Sequence, residues 1–143
     1  MLKNIPSILP PDLLKILMEM GHGNEIVIGD GNFPAASYAQ RLVRCDGHGV
    51  PEILDAILKL MPLDTYVDAP LTLMEVVEKD AEDPEIWAKY KEIAAKHEPD
   101  NCKFEQMERY AFYERAKDAY AIIATGESAI YANIILKKGV VKE

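Results

Sequence analysis

The sequence is poor in cysteine, histidine and basic residues, and each shortage removes a class of function. Cys45 and Cys102 are its two cysteines, too few for a disulfide framework or a four-cysteine zinc site. No run of about 18 apolar residues occurs, so no membrane-spanning helix is expected. Residues 1–6 contain no long apolar stretch, so no secretory leader is read there, and a reducing cytoplasm is the expected compartment. Lys and Arg number 16 against 24 Asp and Glu, a net charge of −8, and no segment forms a basic stripe. Such a field repels polyanions, so neither nucleic acid nor an anionic membrane is expected as a partner. Gly29-Asp30-Gly31 lacks the Gly-Lys-Ser/Thr ending of a phosphate loop and the spacing of a dinucleotide loop. No nucleophile-elbow motif appears. What remains, at 49% hydrophobic and 28% charged residues over 143 positions, is the composition of one globular domain spanning residues 1–143.

Hydrophobic spacing divides that domain into alternating helices and strands. Pro10-Pro11-Asp12 opens a helix, because proline suits the first helical position, where the amide has no helical partner anyway. Leu13, Leu14, Ile16, Leu17 and Met20 form its apolar face, and Gly21 is placed to end it in the left-handed conformation. Ile26-Val27-Ile28 and Leu42-Val43-Arg44 predict short strands, and Pro51-Glu52 starts a second helix. Leu71 to Val77 predicts a strand. Asp83-Pro84-Glu85 predicts a helix start with Asp83 as cap. The acidic stretch 75–100 suits a solvated face. Further along, 104–108 predicts a strand, 111–119 a helix, and Tyr120 to Thr125 and Ile130 to Leu136 two strands around Gly126-Glu127. Alternation of this kind predicts an α/β sandwich with strands buried between helix layers.

Three polar clusters fall near the ends of these elements. His22 sits between Gly21 and Gly23, on a tight turn. Histidine titrates nearest neutral pH and suits proton transfer, although an isolated Gly-His-Gly is more often a surface turn. Asp30 follows the strand at 26–28, and ligand sites of open α/β sheets collect at strand carboxyl ends. A turn aspartate bonded to its own backbone fits the same sequence. Arg109 is read at a strand end, and Tyr131 and Asn133 alternate along the strand read at 130–136. That spacing puts a phenol and an amide on one face, with Ala132 turned to the other. Core packing of Tyr131 and a salt bridge of Arg109 to Glu108 or Glu114 are the plainer alternatives. Cys45 lies beside Asp46, an unfavourable field for a thiolate, and reads as structural. His22, Asp30, Asp46 and His48 show no His-x-His or His-x-x-x-His pair, so no metal is expected.

Taken in order, several strings resemble one family. They are Met20-Gly21-His22-Gly23-Asn24-Glu25-Ile26, Asp30 with Phe33-Pro34, Arg44 with Asp46-Gly47, and Arg109-Tyr110-Ala111-Phe112-Tyr113-Glu114-Arg115-Ala116. Thr125-Gly126-Glu127 and Tyr131-Ala132-Asn133-Ile134-Ile135-Leu136-Lys137-Lys138-Gly139 complete the set. Together they resemble the L-fucose mutarotase and D-ribose pyranase family, and Phe-Tyr-Glu-Arg-Ala and Leu-Lys-Lys-Gly place them nearer its fucose branch. The resemblance implies a ribose-pyranase-like fold, with a central mixed sheet covered by helices. It implies a cofactor-free isomerase that interconverts the anomers of L-fucose, with D-ribose pyranase or a non-catalytic sugar-binding module as alternatives. It also implies a homo-oligomeric ring, commonly a decamer, with sugar sites near subunit contacts. Within the site it implies His22 as the proton carrier, and sugar contacts at Asp30, Arg109, Tyr131, Ala132 and Asn133. Asn24 stands where the family commonly has Asp. The C6 methyl of fucose requires an apolar wall, for which Tyr110, Phe112 and Tyr120 are the candidates.

Overall fold

The structure is a computed structural model that describes every residue except 78, 80 and 81. Part of the acidic stretch 75–100 therefore lies outside the described residues. The elements run α1 (Pro11–Glu19), β1 (Glu25–Gly29), α2 (Ala35–Tyr38), β2 (Leu42–Cys45), α3 (Val50–Leu60) and β3 (Leu71–Met74). Then follow α4 (Glu85–His97), β4 (Phe104–Met107), α5 (Arg109–Asp118), β5 (Ala121–Thr125) and β6 (Ile134–Lys137). The six strands form one sheet in the order β2-β5-β1-β6-β3-β4. β6 runs antiparallel to both β1 and β3, and the remaining neighbours pair in parallel. The expected α/β sandwich is present, and its sheet is mixed.

Side chains alternate across the sheet, as the two-residue period of a strand requires. Ile26 and Ile28 of β1 pack with α1, α3 and α4 on one face. Val27 between them packs with Phe112 and Ala116 of α5 and Ala35 of α2 on the other. The central strands β1, β5 and β6 are covered on both faces, which explains why they are continuous apolar runs in the sequence.

Several boundaries differ from expectation, each for a local reason. Helix α1 ends at Glu19, its capping residue Met20 is extended at φ −61° and ψ 133°, and Gly23 rather than Gly21 takes positive φ, at 84°. α4 has Pro84 as its capping residue, which leaves Asp83 one position outside and no side chain bonded to the helix start. α5 begins at Arg109 because the Glu108 carboxylate accepts the N–H groups of Tyr110 and Ala111. β3 stops at Met74 instead of Val77.

The largest difference is at 130–136, where the strand spans only Ile134–Lys137. Residues 126–133 form a connection anchored to the rest of the fold. The Glu127 carboxylate accepts the Val50 N–H at 3.1 Å and its own loop's Ala129 N–H at 3.1 Å. The Glu127 carbonyl accepts the Gly31 N–H at 2.8 Å.

Gly126 passes under the turn after β2, and its N–H donates to the His48 carbonyl at 2.9 Å. A Cβ at this position would lie 2.1 Å from the Asp46 carbonyl oxygen. Because that neighbour is backbone, it cannot swing aside. Gly126→Ala is expected to cost about 3 kcal/mol, the upper end of overpacking penalties, as a lowered midpoint in urea unfolding; an unchanged midpoint would refute the close approach.

Candidate functional site

The parallel strands all end on one edge of the sheet, and β6 begins there because it runs the opposite way. A cavity of about 290 Å³ opens at this edge, where ligand sites of α/β sheets gather. Asp30, Asn32, Arg109, Tyr131 and Asn133 supply its polar lining, and Phe33, Met74, Tyr113 and Ile130 its more apolar side. Four of the five sugar-contact positions expected from the sequence thus meet in one cavity.

Asp30 follows β1 directly and is only 6% exposed. Burial raises its pKa, while the backbone N–H groups of Asn32, Ala132 and Phe33 near the carboxylate oppose that rise. The Asn32 N–H reaches Oδ1 at 3.0 Å. Asp30 is therefore both the local turn aspartate that its sequence allowed and a lining group of the cavity. Its own N–H donates to Oδ1 of Asn133 at 2.8 Å. That bond occupies the amide oxygen and leaves the NH2 end of Asn133 as the donor it can offer a ligand. The Arg109 guanidinium makes no salt bridge to Glu108 or Glu114. It donates to the Tyr110 hydroxyl at 2.8 Å and lies 4.8 Å from the centre of that ring.

Tyr131 and Asn133 reach the cavity by a route other than the expected strand face. Tyr131 has φ of 55°, a left-handed conformation that is uncommon for a residue with a Cβ. Ala132, expected as a sugar contact, is fully buried and does not line the cavity. Its N–H helps to hold down the Asp30 pKa, and its carbonyl accepts the Tyr90 hydroxyl at 2.7 Å. Ala132 supports the site through its backbone.

The expected methyl walls are also replaced. Phe112 is fully buried, its ring 6.1 Å from that of Phe33. Tyr120 precedes β5, at the opposite edge of the sheet, under the Arg41 guanidinium. Tyr110 is exposed and outside the cavity. Phe33, Met74 and Ile130 provide the apolar side instead.

His22 is not in the cavity of its own chain. It lies on the turn before β1, whereas Asp30 follows β1, and the strand's four steps alone separate them by about 13 Å. Nε2 of His22 is 2.9 Å from Oδ1 of Asp64. Asp64 is nearly buried and also accepts the Tyr66 N–H at 3.0 Å. Burial by itself would raise the Asp64 pKa, but the Tyr66 N–H and His22 outweigh it and hold the carboxyl below its ordinary range. The carboxylate is therefore the acceptor and Nε2 the donor of this bond, and Nδ1 is the ring nitrogen that Asp64 does not engage. The His22 side chain is 46% exposed, open to a neighbouring molecule. Sequence spacing gave no signal for Asp64, which stands 42 residues from His22.

The remaining candidates are accounted for separately. Burial, followed by Asp12 and Asp46, pushes the Cys45 thiol up to about 11, in keeping with a structural role. His48 Nδ1 pairs with Glu52 at 3.2 Å, and Asp46 pairs with Arg44 at 3.1 Å.

Asp64→Asn is expected to release the His22 tautomer, read as a shift of its ring 15N resonances toward a mixed population. Because the Asp64 pKa is depressed in the fold, its contribution to stability is present above the ordinary carboxylate pKa near 3.8 and is lost as pH falls below it. The variant's stability should accordingly vary less with pH below about 4 than that of the parent protein. Ring resonances and acid-limb stability both unchanged would sever Asp64 from His22.

The RbsD / FucU transport protein family matches residues 3–141. The human fucose mutarotase is 48% identical, with 97% of this chain and 94% of that protein covered. A crystal structure of the fucose mutarotase in complex with L-fucose from Streptococcus pneumoniae superposes with a TM-score of 0.93 at 56% identity, covering 99% of this chain and 100% of the other. FucU from Bifidobacterium longum gives a TM-score of 0.94 at 55% identity, covering 98% and 100%. With its sheet order, its cavity at the strand ends and these likenesses over nearly the whole chain, the protein belongs to the RbsD / FucU family.

Proposed function

We propose that this protein is an L-fucose mutarotase, a cofactor-independent isomerase that interconverts the α and β anomers by opening and closing the sugar ring. The observation that carries the reading is the cavity itself. Asp30, Arg109, Tyr131 and Asn133 face a wall of Phe33, Met74 and Ile130, in a chain 56% identical to a fucose mutarotase crystallised with L-fucose. The polar side suits ring hydroxyls and the apolar wall suits a C6 methyl. A neutral sugar is also compatible with a net charge of −8.

Ring opening removes the proton of the anomeric hydroxyl and delivers one to the ring oxygen; closure on the other carbonyl face reverses both transfers. Electrons and atoms balance with no cofactor, and one positioned acid/base contributes about 10²–10⁴-fold. His22 is that group in this proposal. Since it lies at the far end of β1 from its own chain's cavity, the histidine at each site comes from a second copy of the chain. The N-terminal segment supports such an assembly. Leu9 is buried on its own chain and Ile8 packs against that core, but Leu2 is 70% exposed and Met18 85%. Both line an apolar groove of about 430 Å³ beside Lys138, and Lys138 is bonded to the His22 turn. A homo-oligomeric ring, expected to be a decamer, places such surfaces against one another. Cytoplasmic residence belongs to the same proposal and accords with two free thiols, Cys45 and Cys102.

Saturation-transfer NMR of L-fucose and D-ribose tests the activity. The protein should accelerate exchange of L-fucose anomers well beyond that of D-ribose, and exchange at the solvent rate would sink the proposal. His22→Ala should lower the rate at least about tenfold. Asn133→Ala should lose roughly 1–3 kcal/mol of sugar binding, because a buried hydroxyl loses its partner. If the histidine acts in a neighbour's site, co-assembling these two impaired variants should restore activity at about a quarter of the sites, those pairing an intact cavity with an intact histidine. No gain over the separate variants would show that each chain works alone.

A further inference from the structure

The conformation that aims Tyr131 at the cavity needs a cause, because a residue with a Cβ disfavours left-handed backbone. Helix α4 supplies one. Trp87 and Tyr90 stand three residues apart, on one helix face, and are 2% and 0% exposed. The Trp87 indole N–H donates to the Tyr131 carbonyl at 2.8 Å. The Tyr90 hydroxyl donates to the next carbonyl, that of Ala132, at 2.7 Å. These two bonds grip the two successive peptides that follow the residue whose φ is 55°. The same backbone leads directly into the site, because the next residue, Asn133, accepts the Asp30 N–H on Oδ1 at 2.8 Å.

We infer that Trp87 and Tyr90 are positioning residues for sugar binding: two neutral donors from α4 clamp the 131–132 backbone and so hold Tyr131, Asn133 and Asp30 in the geometry that receives the sugar. Neither side chain lines the cavity. The inference rests on the reading of that cavity as the L-fucose site. It also makes Trp87, the single tryptophan of the chain, a fluorescent reporter one hydrogen bond away from a lining residue.

The test uses the intact oligomer and the conservative variants Tyr90→Phe and Trp87→Phe, which keep a ring and remove a donor. Two measurements are made. Amide hydrogen exchange without sugar compares residues 30 and 132 with Ile122 and Ile123 of β5. Exchange kinetics on L-fucose then separate KM from kcat. A working clamp gives about tenfold faster exchange confined to the site amides, with KM raised about tenfold and kcat within about threefold. Unchanged exchange at 30 and 132 overturns the clamp. Equal acceleration in β5 shows a merely structural role and overturns it as well. Local acceleration with unaltered KM overturns the positioning of sugar groups. A parent protein that neither turns over L-fucose nor changes its Trp87 emission with the sugar defeats the assignment of the cavity and the sugar role with it; the sugar-free exchange contrast still decides the clamp.

Discussion

The reversed strand β6 is the constraint on which the rest of the site depends. It lies between β1 and β3 and runs against both. Its first residues therefore arrive where the parallel strands end, and its last residues leave where they begin. The arriving end brings Tyr131 and Asn133 beside Asp30. At the departing end the Lys138 ammonium caps α1 on the carbonyls of Leu17 and Met20, and its backbone bonds Gly23 and Asn24 around His22. One buried strand thus connects the cavity to the histidine turn and keeps them apart. A fully parallel sheet would place the end of this strand at the cavity, and the Tyr-Ala-Asn segment would face the opposite edge.

Because β6 is paired on both sides and covered on both faces, the segment leading into it has little freedom. The sheet fixes Ile134, and hydrogen bonds fix Glu127 against the start of α3 and the turn after β1. Between those anchors the backbone turns through a left-handed residue. Such strain persists only where surrounding structure over-determines it, and it concentrates at functional sites. Hydrogen bonds from buried aromatic donors suit this task. Burial keeps the Tyr90 phenol protonated, with Glu127 and Asp30 adding to the effect, so its donor is present throughout the physiological range.

The electrostatics follow the same division. At the cavity edge a buried carboxylate is held by backbone amides, and an arginine rests on Tyr110. These groups offer an acceptor and fixed donors to a hydroxyl-rich ligand. At the other edge a second buried carboxylate, Asp64, holds one nitrogen of a half-exposed histidine. In the proposed function, recognition and proton transfer therefore stand at opposite ends of one sheet, which is why that proposal shares each site between two copies.

Helices α1, α3, α4 and α5 and the buried strands are legible along the chain, because their apolar spacing is a local property with a fixed period, whereas the single-turn α2 is too short to show one. Ile26-Val27-Ile28 and Ala121 to Thr125 needed no distant partner to read as strands. The sequence also carried the resemblance that named His22, Asp30, Arg109, Tyr131 and Asn133. Ile130 to Leu136 reads as continuous strand because β-branched and aromatic residues satisfy the strand pattern, yet only its later part is strand, and the bonds from Trp87 and Tyr90 onto residues 131 and 132 come from more than 40 residues away. Asp64 and the Phe33, Met74 and Ile130 wall were invisible for the same reason. They arise with the folded molecule, since contacts between groups far apart in sequence leave no period along the chain and exist only once the reversed strand has folded into the sheet.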